Sequence, residues 1–589
     1  MKSNATIIFL RVAFFVLILG LSWLHTQKIF RGLSAPEGME QAQLAREIAR
    51  GNGLQTKVLK PGEIRQMLNA TNDSGRLADI APNTYHAPLN PVILGAVFRV
   101  IGANDFDRYR MKTDESIYYL DRVVAGFSII CFLLAVGMTY LLTCRVFDAK
   151  IASATVVSMV LCELFWSISM SGLPQMLMLL FTTCGLYFSY RAIESAEEGQ
   201  FGLVHAILAA VFFALLALTH WLAIWIVLGY AVMASFLMRP RGLSGIIALV
   251  CLAAVAILPV MVNVSVTGNP LGSAFFVLYE GLANSEEYAM RTMDEVSPNV
   301  RGLIMSVFRS VFTQMGGLFG FLGGIIAAPI FFLSLLHGFK RPAISNFRWL
   351  ILVMWLCACF GMALFGLPEG AADSNQLHLL FAPIMAAYGF AMLSILWTRL
   401  DIGDRYPLLS QAHLIGAVFI SAAPMLFDLP RQFMQDIASS PNYPPYAPSI
   451  VQRNITEAVD EDEIIATDQP WAVAWYADRR SLWLPFRMAE LEGLETMSDE
   501  EETPITAVLT TPISNGTRPL YETSLFYGDY LSLMMDGWAM VASRSDSNPR
   551  IVSSRDRRMS RFYNRFPYQR SLLFRTAPMI LYTSNRTGS

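Results

Sequence analysis

The chain alternates between long apolar runs and polar stretches. Runs of about 20 mostly apolar residues, the length a helix needs to cross a bilayer, fall near 6–25, 122–143, 151–170, 174–190, 203–219, 221–238, 243–262, 316–337, 347–366, 378–397 and 409–427. The pattern predicts an α-helical polytopic membrane protein with about eleven spanning helices. The first run follows Lys2 as a signal peptide would, but Ser22-Trp23-Leu24-His25 offers no small-x-small cleavage site, so it reads as a retained anchor.

Basic residues orient the spans. With the N-terminus inside, the inner connections hold Arg145, Lys150, Arg191, Arg239, Arg241, Lys340, Arg341, Arg348, Arg399 and Arg405. The outer connections at Gly172-Leu173-Pro174 and 369–376 hold no Lys or Arg. The expectation is a multi-pass protein of the cell (inner) membrane with a cytoplasmic N-terminus and an extracytoplasmic or periplasmic C-terminal domain.

The polar parts divide the rest. The membrane part runs over 1–429 and carries a first outer loop at 26–121. In that loop Leu44 and Ile48, four residues apart, predict a helix lying on the membrane surface, ended by Gly51-Asn52-Gly53. Further on, Pro88 and Pro91 sit at the start of the apolar helix 92–101. Residues 430–447, rich in Pro, Tyr and Ser, read as a linker. Over 448–547 the segments 463–467, 472–476 and 505–509 have the look of short buried strands, which predicts a small α/β domain. The tail 548–589 carries Arg550, Arg555, Arg557, Arg558, Arg561 and Arg565 and reads as a flexible, solvated or lipid-touching segment.

Composition narrows the function. The charged fraction is 15%, too low for a chain with an all-water surface, and the net charge of −2 gives no field for nucleic acid. All 7 cysteines lie in apolar runs, so no disulfide framework or thiolate metal site is expected. No P-loop, HExxH, GxSxG or paired CxxC pattern is present.

Three short strings carry a family resemblance: Glu40, then Ala45-Arg46-Glu47-Ile48-Ala49-Arg50-Gly51-Asn52-Gly53, then His86-Ala87-Pro88-Leu89-Asn90-Pro91. With Ser171-Gly172-Leu173-Pro174-Gln175 and Asn263–Pro270, they follow the order seen in GT-C fold membrane glycosyltransferases. The chain resembles the branch that holds dolichyl-phosphate-mannose-protein mannosyltransferases and aminoarabinose transferases, often labelled family 39 or RgtA/B/C/D-like. The resemblance covers about residues 1–430. It implies transfer of a sugar from a polyprenyl-phosphate donor to a lipid, glycan or protein acceptor at the outer face.

Under that resemblance Glu40 matches the family's first-loop acid, usually Asp. It would either deprotonate an acceptor hydroxyl or hold a divalent ion, Mg or Mn, against the phosphate. Glu37 is a second candidate acid. His86 matches the family's histidine and would orient phosphate or ligate that metal. Lys57 and Lys60 are candidates to neutralise the carrier phosphate, and His220 and His378, at the outer edges of spans, are further candidates for it. Where the aminoarabinose branch has an arginine after its acid, this chain has Gln43. Trp471 and Trp475 are read as core packing before sugar stacking. Glu163 lies inside a predicted span, where a carboxyl costs about 2.5–3.5 kcal/mol to insert, so it is expected to face a cavity or a partner. Each residue also has a plain structural reading, as a helix-start carboxylate, a turn-capping histidine or an interfacial lysine. Two other functions stay open: a transporter or lipid flippase, and a catalytically silent scaffold.

Overall fold

The computed structural model describes residues 4–71, 82–112, 115–274, 286–295, 300–318, 327–364, 373–401, 405–406, 409–434, 448–500, 503–511, 526–535, 557–566 and 579–584. The chain opens with α1 (Asn4–Trp23), whose apolar side chains are largely exposed from Val12 to Leu19, as suits a lipid-facing helix. The first loop then holds α2 (Pro36–Arg50), α3 (Pro61–Thr71) and α4 (Leu89–Ile101). Next come α5 (Tyr119–Val146), α6 (Ala149–Val160), α7 (Glu163–Ser169), α8 (Gln175–Glu197), α9 (Leu203–Thr219), α10 (Ile224–Leu237) and α11 (Leu243–Thr267).

Among the described residues seven helices are long and apolar enough to cross a membrane, from Val12–Ile29 and α5 to Ala412–Pro430. The pair α6 and α7, bent by 57°, makes an eighth if counted as one span. Two shorter apolar helices, α9 and Trp221–Leu237, occupy the runs read at 203–219 and 221–238. The run near 316–337 lies partly outside the described residues, and so does most of the 430–447 linker. Glu163 opens α7 directly after the bend. An acid in the first turn of a helix is favoured by the positive end of the helix dipole, and the break in the span falls at this residue.

The spans enclose an apolar core that includes Phe132, Trp166, Phe213, Trp355 and Tyr388, with α8 packed between α5 and α9. Leu134, Ile257 and Phe419 point outward and stay exposed, as lipid-facing residues would.

Above the bundle lies one five-stranded sheet in the order β1-β3-β2-β4-β5, with β1 at Val58–Leu59, β2 at Ile464–Thr467, β3 at Arg480–Trp483, β4 at Ile505–Thr510 and β5 at Ile580–Thr583. The first four strands are parallel; β5 is antiparallel to β4. This redraws the predicted boundaries. The sheet is not confined to 448–547, because β1 comes from the first loop and β5 from the tail. The described parts of that tail are not free: Arg557–Arg565 is a helix whose Phe562 and Tyr563 pack on Tyr582 of β5, and Arg565 pairs with Glu495 at 2.5 Å.

Two further expectations are corrected. The segment 472–476 is helical, a turn at Pro470–Ala472 running into a wide turn at Val473–Ala477. An unbroken apolar run of that length does not separate strand from buried helix by periodicity. And α2 has no exposed apolar face of the kind expected of a helix resting on lipid. Its residues Gly38–Glu47 are buried between α4, the Ser171-Gly172 turn and the C-terminal domain.

Candidate functional site

The site is built on α2. Pro36 starts the helix, and Gly51, in the left-handed region at φ 94°, ends it with its N–H on Glu47 and Ile48 carbonyls. Near its start α2 meets the turn after α7. A Cβ on Gly38 would lie 2.6 Å from the Ser171 carbonyl, so only glycine allows this approach. Ser374 donates its N–H to Glu37 Oε2 at 3.3 Å, and the Gln175 side chain reaches the Asp373 carbonyl. The string Ser171–Gln175 and the residues before His378 therefore close over the head of α2.

One turn further, Glu40 is buried. Its Oε2 accepts from Lys60 Nζ at 2.8 Å and meets His86 Nε2 at 2.7 Å. Lys60 reaches it from the start of α3, its ammonium 4.1 Å from the centre of the Tyr85 ring. His86 is held by its own N–H, which donates to Asn83 Oδ1 at 2.8 Å. Glu63, on the first turn of α3, shares the field of Lys60 and accepts from Ser273 Oγ at 3.3 Å; Ser273 in turn accepts from Thr84 at 2.9 Å.

Burial and pairing split the two carboxylates. Burial would raise the Glu40 carboxyl, but the Lys60 charge and the His86 hydrogen bond hold it at about 2. Burial dominates at Glu63; with Glu40 also repelling its charge, its carboxyl stands at about 7. Burial opposes the Lys60 charge, yet Glu40 and then Glu63 keep its ammonium above the ordinary lysine value. Burial lowers His86, against the pull of Glu40. His220 joins the same field: burial and the charge of His86 take it down to about 4. One ammonium thus serves two buried acids, which is the arrangement that separates proton affinities.

The other candidates are placed differently. Lys57 points to Asp478, with Nζ 2.8 Å from Oδ1, and away from Glu40's ion pair. His378 accepts from the Trp355 indole at 3.1 Å, which ties two spans together. Trp475 is fully buried and donates to Asp121 Oδ1 at 2.7 Å, and Tyr476 donates to Asp121 Oδ2 at 2.9 Å. Trp471 is buried edge-on to Trp483.

A metal at Glu40 was the second role for that acid. Among the described residues no group of three His, Cys, Asp or Glu side chains is placed to hold an ion. The oxygen a cation would take already receives the Lys60 ammonium, and a divalent ion there would strand that buried charge. The donor set of Glu40 and His86 fits an ammonium, not a divalent metal.

Sequence reading missed Glu63, Asp121, Asp478 and Arg46. Pro61 and Glu63 together look like an ordinary helix start, and nothing local marks Asp478, whose partners lie over 400 residues away.

No protein-family model and no curated protein matches the sequence. Solved structures do match in shape. An oligosaccharyltransferase from Archaeoglobus fulgidus, solved with a tethered acceptor peptide, superposes with a TM-score of 0.53 at 12% identity, over 90% of this chain and 72% of that one. ArnT from Cupriavidus metallidurans, solved with undecaprenyl phosphate, gives 0.47 at 13% identity over 88% of this chain and 95% of that one. On the first of these likenesses, the chain is a multi-pass membrane protein with the GT-C fold.

Proposed function

We propose that this chain is a glycosyltransferase that moves a sugar from a polyprenyl-phosphate carrier to an acceptor hydroxyl on the extracytoplasmic side of the inner membrane. The observation that carries the reading is the single oxygen, Glu40 Oε2, met by both Lys60 and His86 inside a buried cluster. Such a cluster has the parts that transfer needs: a compact cation for a phosphate and a carboxylate beside it for a hydroxyl. The GT-C fold supports the transferase class, and the basic residues of the inner connections support the orientation.

Lys60 takes the donor phosphate and Glu40 faces the acceptor hydroxyl. The acceptor oxygen attacks the sugar carbon, the bond from that carbon to the phosphate oxygen breaks, and the hydroxyl proton goes to a carboxylate of the cluster. Glu40 held at about 2 is a weak base while the Lys60 ammonium and His86 face it with no phosphate present. A bound phosphate shares that ammonium and adds negative charge, so the proton affinity of Glu40 rises once the donor has arrived. The same coupling discourages turnover without a donor.

The test is direct. Lipid that co-purifies with the full-length protein is identified by mass spectrometry, and thermal stability in detergent is followed as undecaprenyl phosphate is added. A co-purified polyprenyl phosphate, or stabilisation lost in Lys60→Met, supports the proposal. A protein that neither carries nor responds to a polyprenyl phosphate is not this enzyme.

A further inference from the structure

Asp478 lies in the C-terminal domain, in the left-handed region at φ 56°, at the turn that leads into β3. Its carboxylate meets three cations of the first loop: Arg46 at 3.0 Å, Arg50 at 2.7 Å and Lys57 at 2.8 Å. Lys57 Nζ also donates to the Asp478 carbonyl at 3.1 Å. Arg46 is fully buried and further donates to the carbonyls of Ala474 and Trp475.

The next residues of the first loop are gripped as well. Ser481 N donates to the Lys57 carbonyl at 2.8 Å, Val58 pairs with Ser481 and Leu59 with Leu482, and Lys57 N donates to Gln43 of α2 at 3.2 Å. Lys60 is the first residue beyond that grip. A strand of two residues is too short to hold its own register, so what holds Lys57 fixes one side of Lys60, while on the other the first turn of α3 donates the Glu63 and Ile64 N–H groups to its carbonyl. The same C-terminal turn is tied down by Trp475 and Tyr476 on Asp121 of α5.

We propose that Asp478 is a positioning residue for Lys60: by clamping Lys57 and the two arginines it seats β1 against β3 and so delivers the Lys60 ammonium to Glu40 and to the donor phosphate. The last clause rests on the function proposed above; the clamp on Lys60 does not. The C-terminal domain then acts as the outer wall of the site, and the turn around Trp475–Asp478 is the strut that joins it to α2 and α5.

Two measurements test this on the full-length protein. The first is acylation of lysines by an amine-reactive reagent, read by mass spectrometry, with no donor present. Asp478→Asn keeps a side chain that tolerates the left-handed region but removes the charge. Lys57→Met removes the clamp from the other side and leaves Asp478 two arginines, so it serves if the first variant does not fold. In either variant Lys60 is expected to label about tenfold faster or more as local opening eases, while the exposed Lys28, Lys112 and Lys150 are unchanged. Lys60 labelling at the wild-type rate in a folded variant overturns the proposal. The second is binding of undecaprenyl phosphate in detergent. Asp478→Asn is expected to bind about tenfold more weakly, the scale of one charge-assisted contact, and to add no further loss in a Lys60→Met background. Full additivity would mean that Asp478 does not act through Lys60. If the wild-type protein binds none of this lipid, the proposed function fails while the labelling result still decides the clamp.

Discussion

Two charged clusters hang from the same helix and the same short strand, and they are built on opposite plans. At the Glu40 cluster two buried carboxylates, Glu40 and Glu63, compete for one ammonium. Two turns along α2, at the Asp478 cluster, one carboxylate is met by three cations, and the neighbouring Glu47 takes Arg50 at 2.7 Å and Asn52 at 2.7 Å. Burial alone would raise Asp478, but Arg46, then Lys57 and Arg50, hold it far below the ordinary carboxylate value. Surplus of opposite charge fixes a proton state and a geometry. Shortage of it leaves a group whose proton affinity can change when a ligand arrives. The plan at Asp478 suits a joint; the plan at Glu40 suits chemistry.

The largest effect expected from breaking this contrast is on turnover. Glu40→Gln should lower sugar transfer by about 10²–10⁴-fold, the usual contribution of a positioned acid or base, in an assay on membranes or purified protein. Asp478→Ala should instead strike the fold, by about 3–5 kcal/mol, since it leaves buried Arg46 without its carboxylate; a denaturant or thermal melt measures it. Gly38→Ala should cost about 1–3 kcal/mol through overpacking against the Ser171 carbonyl, and by tilting α2 it should reduce turnover as well.

The smallest effect is in pH dependence. Glu63 has an ordinary value of 4.5 and a folded value of about 7. The folded protein therefore binds more protons than the unfolded chain in that window, and this group's contribution to stability is full below 4.5 and is lost as pH rises through 7. Glu40 and Asp478, both lowered, behave in the opposite sense: their contribution is present at neutral pH and is lost only in acid, as pH falls towards the folded values. Glu63→Gln should flatten the fall in melting temperature between about pH 5 and about pH 8 and leave the acid limb in place.

The long spans were legible because about 20 apolar residues in a row have one common fate, whereas the runs at 203–219 and 221–238 form helices shorter than a full span. The end of α2 at Gly51 was legible because a left-handed residue there nearly requires glycine. Glu40, Lys60 and His86 could be named one at a time, through a resemblance, but not their meeting on one oxygen, which depends on a strand of two residues pairing far along the chain. Asp478 had no signal of its own, since its partners come from the first loop. The helix at 470–477 was misread because Trp475 and Tyr476 are set by Asp121, a partner outside the segment. Local pattern reports what a segment buries, not what it is buried against.

The pairing of β1 with β3 has a consequence for how the protein is made. Lys57 and the Asp478 that holds it are 421 residues apart, with every described spanning helix but the first between them. A chain leaving the ribosome must thread the whole bundle into the bilayer before β3 is available. Until then the lysine before β1 has no seat, and a molecule cut between the last span and Asp478 carries its membrane part with an unassembled site. Competence therefore comes late in biosynthesis, only after the chain has passed β3.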